Sequence, residues 1–364
     1  MDKRIILALA GAGKTYNLCH QIDDTKRNIL LAYTNENIRN LKKEVIDKFG
    51  TIPDQTLILT FDSFLFRYFI RPYQKIIANK FELKKFRTNG VDISNKPEPS
   101  YKNGKYNPMY KKKDNIGHFI INQKYYCSRI PELILYVDGL FDIAMKNINK
   151  YCDCIFIDEV QDFRNDYYKV LEKIIKNCNN IIMVGDYWQH SVNGNNNNGI
   201  PFKDTTYDKY IEKLKKIGLN VDDTSLIYSR RCSKNICDFV KRKLKIPIEA
   251  FDNTKKGKVI IVEDVLEIIN ILENDDIIKL VNRDSKIYSF NSINWSYSKG
   301  NTYKDVCVIL TDEYKNIDKE DFSLSKQSIT NNQLYVALTR PTKNLYIIKK
   351  EKFDLVKKKF QNIV

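Results

Sequence analysis

At 364 residues the chain is long enough for roughly one to three domains with a large core, and its 61 Lys+Arg against 45 Asp+Glu leave a formal net charge of +16, which fits either a polyanionic partner or a lysine-solvated surface. No apolar run reaches the roughly 18 residues of a membrane span, and the apolar start passes into Gly-Lys-Thr too soon for a secretory signal, so no membrane association is expected. Eight scattered cysteines with no CxxC pair, and three histidines, argue against a zinc site or a disulfide framework and for a reduced, cytoplasmic setting.

Arg4 to Leu9 is a short apolar run, followed at once by Ala10-Gly11-Ala12-Gly13-Lys14-Thr15 and a helix-compatible stretch from Tyr16 to Gln21. Strand, small-residue loop, Lys-Thr and helix together form the context of a P-loop. A triphosphate must lie against bare backbone N–H groups, and Gly11, Ala12 and Gly13 keep that surface open. Lys14 is expected to reach the β- and γ-phosphates and the Thr15 hydroxyl to hold Mg²⁺. Ala10 through Tyr16 thus make up the expected nucleotide-binding segment. Ala8 occupies the first glycine position of the pattern, the smallest replacement available.

Asn28 to Tyr33 reads as a second buried strand. Thr34 to Lys48 reads as an amphipathic helix with Ile38, Leu41, Val45 and Ile46 on its apolar face. Leu57 to Thr60 is a third strand, and Phe64 to Ile77 has a helical pattern. Residues 65–150 then break the alternation of strand and helix. Thr88-Asn89-Gly90, Lys96-Pro97-Glu98-Pro99 and Asn103-Gly104 are turn chemistry. Interleaved with them are Tyr101, Tyr106, Tyr110, Lys111, Lys112, Lys113, Tyr125 and Tyr126, and His118 to Ser128 is expected to be a strand. Such a segment either tracks phosphates and stacks bases or is an irregular insertion with solvated lysines.

Cys154 to Ile157 returns to a buried strand and ends in Asp158-Glu159-Val160-Gln161-Asp162. Two acids at a strand's carboxyl end, after a P-loop, have defined work: Asp158 to hold Mg²⁺ and Glu159 to orient or deprotonate the attacking water. Phe163 to Lys176 is an expected helix and Ile181 to Val184 a strand, followed by Gly185-Asp186-Tyr187-Trp188-Gln189, in which Gln189 can sense the γ-phosphate. Gly194 to Gly199 is a flexible loop by composition. Further on come a helix from Tyr207 to Lys216, a strand from Leu226 to Tyr228 and a helix from Lys234 to Leu244. Strands are expected at Lys258–Val262, Ile277–Val281, Val306–Leu310 and Leu345–Ile348, and a basic tail helix from Lys349 to Val364.

Taken in order, these blocks resemble the motifs of superfamily 1 DNA helicases of the UvrD/Rep type. Leu31-Ala32-Tyr33-Thr34 with its helix resembles motif Ia, and Leu59-Thr60-Phe61-Asp62-Ser63-Phe64 resembles motif Ic. Asp158 to Asp162 is similar to motif II, Val184 to Gln189 to motif III and Ser229 to Ser233 to motif IV. Asn294 to Leu310, with Lys299-Gly300, resembles motif V, and Asn332 to Arg340 motif VI. The resemblance implies DNA contacts from Tyr33, Thr34, Thr60, Phe61 and Lys299, with base stacking from Tyr187 and Trp188, although Trp188 reads equally as a core residue. It implies that Arg231 reaches the γ-phosphate, that Arg340 is an arginine finger, and that Arg230 replaces the tyrosine that stacks on adenine. Asp62 stands where the family has histidine, Ser296 for histidine and Thr302 for glutamate.

The implied fold is α/β, two RecA-like P-loop NTPase lobes with a small irregular insertion in the first. Lobe 1A would take 1–64 and 151–225, a basic and aromatic 1B-like subdomain 65–150, and lobe 2A 226–364. Residues 245–290 leave too little chain for a 2B subdomain. The implied activity is that of an ATP-dependent single-stranded DNA translocase or helicase moving 3′-to-5′. It would use ATP and Mg²⁺, act on single-stranded or tailed duplex DNA, and work beside a nuclease or ATPase protein partner. Two alternatives stay open: a regulatory ATP-switch subunit that binds DNA or a nuclease without unwinding, and an RNA-directed motor.

Overall fold

The computed structural model describes residues 1–364 apart from 85, 191–198, 204, 323, 325–328 and 362–364. The chain divides into two compact units. One comprises Met1–Arg4, Leu18–Met183 and Glu212–Asn220, the other Ile5–Asn17, Val184–Ile211 and Val221–Val364.

The first sheet has six strands, β1 (Lys3–Leu7), β2 (Asn28–Ala32), β3 (Thr56–Thr60), β4 (Cys154–Ile157), β5 (Ile181–Gly185) and β6 (Asn220–Asp222), in the order β6-β1-β5-β4-β2-β3. It is a parallel sheet of an α/β fold. The register between β2 and β4 runs from Asn28↔Cys154 to Leu31↔Ile157. All five residues of β2 are buried, which is why it reads as an unbroken apolar run and not as an alternation. The Thr34 hydroxyl accepts from the Asn37 amide and starts a helix over Asn35–Phe49. Gly50, in the left-handed region, ends it. Ile38, Leu41 and Val45 are buried as the spacing predicts, whereas Ile46 is 44% exposed.

The helical pattern expected from Phe64 to Ile77 is present as a run of helical segments of changing pitch: an α-helix at Phe61–Leu65, a π-helix at Phe66–Ile70, a 3-10 helix at Arg71–Tyr73 and an α-helix at Gln74–Lys80. Pro72, lacking an N–H, falls in the 3-10 segment. One expectation for the insertion is corrected. His118 to Ser128 is not one strand. Ile120–Ile121 and Lys124–Tyr126 pair antiparallel around Asn122 and Gln123, whose φ values of 48° and 61° build a two-residue reversal. Tyr101 and Tyr106 stand exposed, paired across a short antiparallel hairpin. Elsewhere in the insertion Glu132 takes ion pairs from Lys113 and Arg129 and a hydrogen bond with the buried His118 ring.

The second unit carries a short parallel pair, β7 (Tyr228–Ser229) with β8 (Glu249–Ala250), and a five-stranded parallel sheet. The sheet's strands are β9 (Val259–Val262), β10 (Ile277–Val281), β11 (Ser292–Asn294), β12 (Tyr303–Ile309) and β13 (Pro341–Ile348), in the order β9-β13-β12-β10-β11. Alternate residues of β12 serve opposite faces. Val306 and Val308 pack with Ile236, Val240, Leu334 and Leu338 from the helices Lys234–Leu244 and Ile329–Leu338. Cys307 and Ile309 pack with Ile268, Leu272, Phe353 and Val356 from Val265–Glu273 and Lys350–Val356. The tail therefore forms a shorter helix than the expected Lys349–Val364, and 362–364 lie outside the described residues. No helix among the described residues is long and apolar enough to cross a membrane.

Candidate nucleotide site

In the second unit the loop after β1 is held from its outer side by backbone pairing. The Ala8 amide donates to Gly185 O (2.8 Å), the Leu9 amide to Leu226 O (2.9 Å), and the Arg230 amide to Gly11 O (2.9 Å). The buried Ala10 amide donates to the Tyr335 hydroxyl at 2.8 Å. With these groups satisfied, the chain turns at Gly11 and Gly13, with φ of 75° and 85°, and enters a helix at Lys14–His20. The two glycines are needed for different reasons. A Cβ on Gly13 would meet nothing within 4 Å, so only its backbone conformation demands glycine. A Cβ on Gly11 would lie 2.7 Å from both Arg231 Cβ and Ser229 Oγ, so close approach demands it as well. Lys14 and Thr15 are half-buried and Tyr16 is exposed.

The turn after β5 is organised by a fully buried carboxylate. Asp186 Oδ1 accepts from the Trp188 amide (3.0 Å), and Oδ2 accepts from Gln189 Nε2 (2.7 Å) and from the Tyr335 hydroxyl (3.4 Å). Burial, and then the Asp186 charge, push the Tyr335 hydroxyl well above the usual tyrosine range, so it stays a donor. Gln189 is therefore fixed, and it is linked through Asp186 and Tyr335 to the P-loop backbone. Tyr187 is buried, with its hydroxyl donating to Thr205 O at 2.7 Å. Trp188 stacks on Tyr207 at 5.6 Å and keeps part of its surface open. Most of the expected loop from Gly194 to Gly199 lies outside the described residues.

The structure brings Arg231 and Arg340 together at Thr339. Arg231 Nη1 donates to Thr339 O (3.2 Å), and Arg340 Nη2 donates to Thr339 Oγ1 (3.3 Å). Arg340 is buried, and its Nε and Nη1 donate to Val336 O and Asn301 O at 2.8 and 3.2 Å. Lys299 is half-buried, one residue before Gly300 at φ 88°. Sequence reasoning did not single out Tyr335 or Asp186. The one available signal was a hydroxyl inside the apolar run Leu334-Tyr335-Val336-Ala337-Leu338.

In the first unit Asp158 ends β4, buried, with its carboxylate accepting from the Glu159 amide at 2.9 Å. Glu159 is in the left-handed region, φ 54° and ψ 47°, a strained conformation for a residue with a side chain. Its carboxylate accepts from Gln161 Nε2. Among the described residues no cluster of three or more His, Cys, Asp or Glu could hold a metal by itself. Each donor singled out for Mg²⁺, the Thr15 hydroxyl in the second unit and the Asp158 carboxylate in the first, is a hard oxygen of the kind that ion takes.

Of the residues expected to meet DNA in this unit, Tyr33 is 37% exposed and is held edge-on by Phe163 (5.8 Å) and Tyr167 (5.7 Å). The Thr34 and Thr60 hydroxyls cap the helices that follow them, and Phe61 is buried 4.7 Å from Phe163. Asp62 accepts from the Tyr167 hydroxyl at 2.7 Å. Burial raises its carboxyl pKa, against hydrogen bonds from Tyr167 and Cys127.

A strand, a glycine loop, a Lys-Thr helix start and a strand-end Asp-Glu pair on parallel α/β sheets define a P-loop nucleotide-binding protein. Residues 2–195 match the AAA domain family named AAA_19, a helicase-type family of the UvrD/Rep-like kind, and the chain belongs to it. No curated protein matches. Among solved structures, the PRRSV helicase is similar at 13% identity over 96% of this chain and 52% of its own, with a TM-score of 0.45. The Arterivirus nonstructural protein 10 helicase in complex with DNA is similar at 14% identity over 95% of this chain and 60% of its own, also with a TM-score of 0.45. A second structure of Arterivirus nonstructural protein 10 gives 14%, 97%, 61% and 0.45. The chain spans between about half and three fifths of the length of these proteins.

Proposed function

We propose that the chain is an ATP-driven motor on single-stranded DNA, a translocase or helicase, built on the helicase-type family to which it belongs. One observation carries the reading. The P-loop is met at Gly11, across a gap too small for a methyl group, by the turn that bears Arg230 and Arg231. A triphosphate on that loop lies within the reach of cations supplied by a distant part of the sequence. Charge builds on the γ-phosphoryl oxygens during transfer, so cations beside the cradle lower the barrier.

In this reading Lys14 and the loop amides bind the triphosphate. Thr15 and Asp158 hold Mg²⁺, which neutralises phosphate charge when bound. Glu159 orients the attacking water, and its fixed backbone keeps the carboxylate in place. Arg231 reaches the γ-phosphate, and Arg340, which meets it at Thr339, is the arginine finger. Gln189, held by Asp186, reports the phosphate state. Tyr33, Thr34 and Thr60 of the first unit, and Trp188 and Lys299 of the second, are the residues assigned to DNA. Movement in the 3′-to-5′ sense and a nuclease or ATPase partner follow from the resemblance to UvrD/Rep proteins, and a cytoplasmic setting from the cysteine usage.

The test is ATP hydrolysis measured alone, with single-stranded DNA and with single-stranded RNA, followed by strand displacement on duplexes with 3′ or 5′ tails. Severalfold stimulation by DNA, with displacement from the 3′ tail, is expected. Hydrolysis indifferent to any nucleic acid would replace the motor with a regulatory switch. Stimulation by RNA alone would change the substrate.

A further inference from the structure

The first unit holds a cavity of about 540 Å³, lined by none of the residues that the nucleotide and DNA readings use. It opens at the amino ends of β2 and β3, the opposite end of the sheet from Asp158, which follows the carboxyl end of β4. Its other walls are the helix Leu140–Tyr151 and the run from the π-helix Phe66–Ile70 to the 3-10 helix Arg71–Tyr73. A π-helix is rare and is found most often where a site needs it. This one bears Tyr68, which lines the cavity. The buried Ile29, Ala144 and Ile148 give the cavity an apolar floor, and Tyr68, Tyr73 and Tyr151 give it three aromatic rings. Tyr73 is fixed by the hydrogen bond that its hydroxyl accepts from Asn147 Nδ2 at 2.6 Å. Burial pushes the Tyr68 hydroxyl above the usual tyrosine range, so it stays neutral. The Tyr151 ring, 62% exposed, already has the Lys150 ammonium over it at 5.2 Å. Among the described residues, the charged groups of the lining are Arg27 and Asp54. Arg27 is fully engaged: its Nε and Nη2 donate to the Asp153 carboxylate (3.0 and 2.6 Å) and its Nη1 to Lys150 O (3.1 Å). Asp54 is exposed, and no cation pairs with it among the described residues.

We propose that this cavity is a binding site for a small organic ammonium cation that carries an apolar body, held by the tyrosine rings, the apolar floor and Asp54. The electrons of an aromatic face attract a cation, and the attraction grows as water is excluded. The floor takes the apolar body out of water, and the cavity is of the size that encloses a small molecule. With Arg27 compensated by Asp153, the Asp54 carboxylate is the charge left to a ligand, and it favours a positive one. Because Asp54 is exposed, its contribution is modest and salt screens it. An anion would be repelled by Asp54 and by the ring faces alike. A neutral molecule of the same shape would gain the floor alone. The site requires no bound nucleotide, so it stands apart from the motor reading.

The experiment titrates the full chain calorimetrically with benzyltrimethylammonium, and with benzyl alcohol as its neutral counterpart. The ammonium should bind at least about tenfold more tightly than the alcohol, and its affinity should fall as salt is raised. Asp54→Asn should weaken the ammonium about threefold and leave the alcohol unchanged. Tyr151→Leu, which keeps an apolar side chain and removes the ring, should weaken it about fivefold, and Tyr151→Phe should bind as wild type does. Both positions are exposed, so each variant should keep the wild-type melting curve, which checks that it is folded. Equal affinity for the two probes would overturn the assignment to a cation. Ammonium binding that none of the variants alters would lie elsewhere on the chain and overturn the site. Absence of binding by either probe in the millimolar range would overturn both.

Discussion

The Ala10 amide and the Tyr335 hydroxyl, 325 residues apart in sequence, meet in a buried hydrogen bond of 2.8 Å. The same hydroxyl donates to Asp186, so one oxygen links the P-loop, the turn bearing Gln189 and the helix Ile329–Leu338 that precedes Arg340. Tyr335→Phe keeps the ring and leaves the Ala10 N–H buried without an acceptor. Urea unfolding should show a loss of about 1–3 kcal/mol at constant m-value. An unchanged midpoint would mean that the bond contributes nothing to stability.

Gly11 and Gly13 should respond differently to the same substitution. Gly13→Ala meets no neighbour and should cost only the backbone penalty of a positive φ, about 1–2 kcal/mol. Gly11→Ala adds a clash with Arg231 Cβ and Ser229 Oγ at 2.7 Å. It should be the less stable of the two by thermal unfolding, and it should weaken binding of a fluorescent ATP analogue. Equal stabilities would show that the Gly11 contact relaxes freely.

Lys14→Ala removes the ammonium assigned to the terminal phosphates. ATP hydrolysis should fall below detection while single-stranded DNA binding, followed by fluorescence anisotropy, stays close to wild type.

Glu159→Gln retains the shape of the side chain beside Gln161 and removes its charge. It should bind ATP as tightly as wild type and turn it over at least about a hundredfold more slowly. DNA-stimulated hydrolysis near the wild-type rate would remove Glu159 from the chemistry.

Asp62 gives a dependence on pH. Burial raises its folded-state pKa above the unfolded value, so the folded chain holds a proton that the unfolded chain has already lost. Stability from this group is present at low pH and declines as pH rises from the unfolded value through the raised one. Asp62→Asn, which cannot ionise, should therefore melt above wild type at neutral pH, and the gap should close in acid. A gap that stays constant across the range would assign the change to packing against Tyr167.

Much of the local structure could be read from short-range pattern. The buried strand Cys154–Ile157 and the helices Tyr207–Lys216 and Lys234–Leu244 lie where apolar spacing placed them. The hairpin at Asn122-Gln123 escaped because its left-handed turn carries no glycine to mark it. Strand β13 begins at Pro341, earlier than expected, because proline is tolerated at a strand's first residue. The Lys-Thr loop and the Asp-Glu pair were legible because their chemistry is local. The Ala10–Tyr335 bond was not, since it depends on a register set between segments far apart in sequence, which no window of neighbouring residues contains.

The stretch Ile5–Asn17 belongs by its contacts to a unit otherwise drawn from residues beyond 183. During synthesis those first residues leave the ribosome long before Leu226, Arg230 and Tyr335, the groups that occupy their backbone. That stretch must therefore wait, its cradle unformed, until Tyr335 has emerged. Closure of so distant a loop makes maturation of this region a late and slow event in folding.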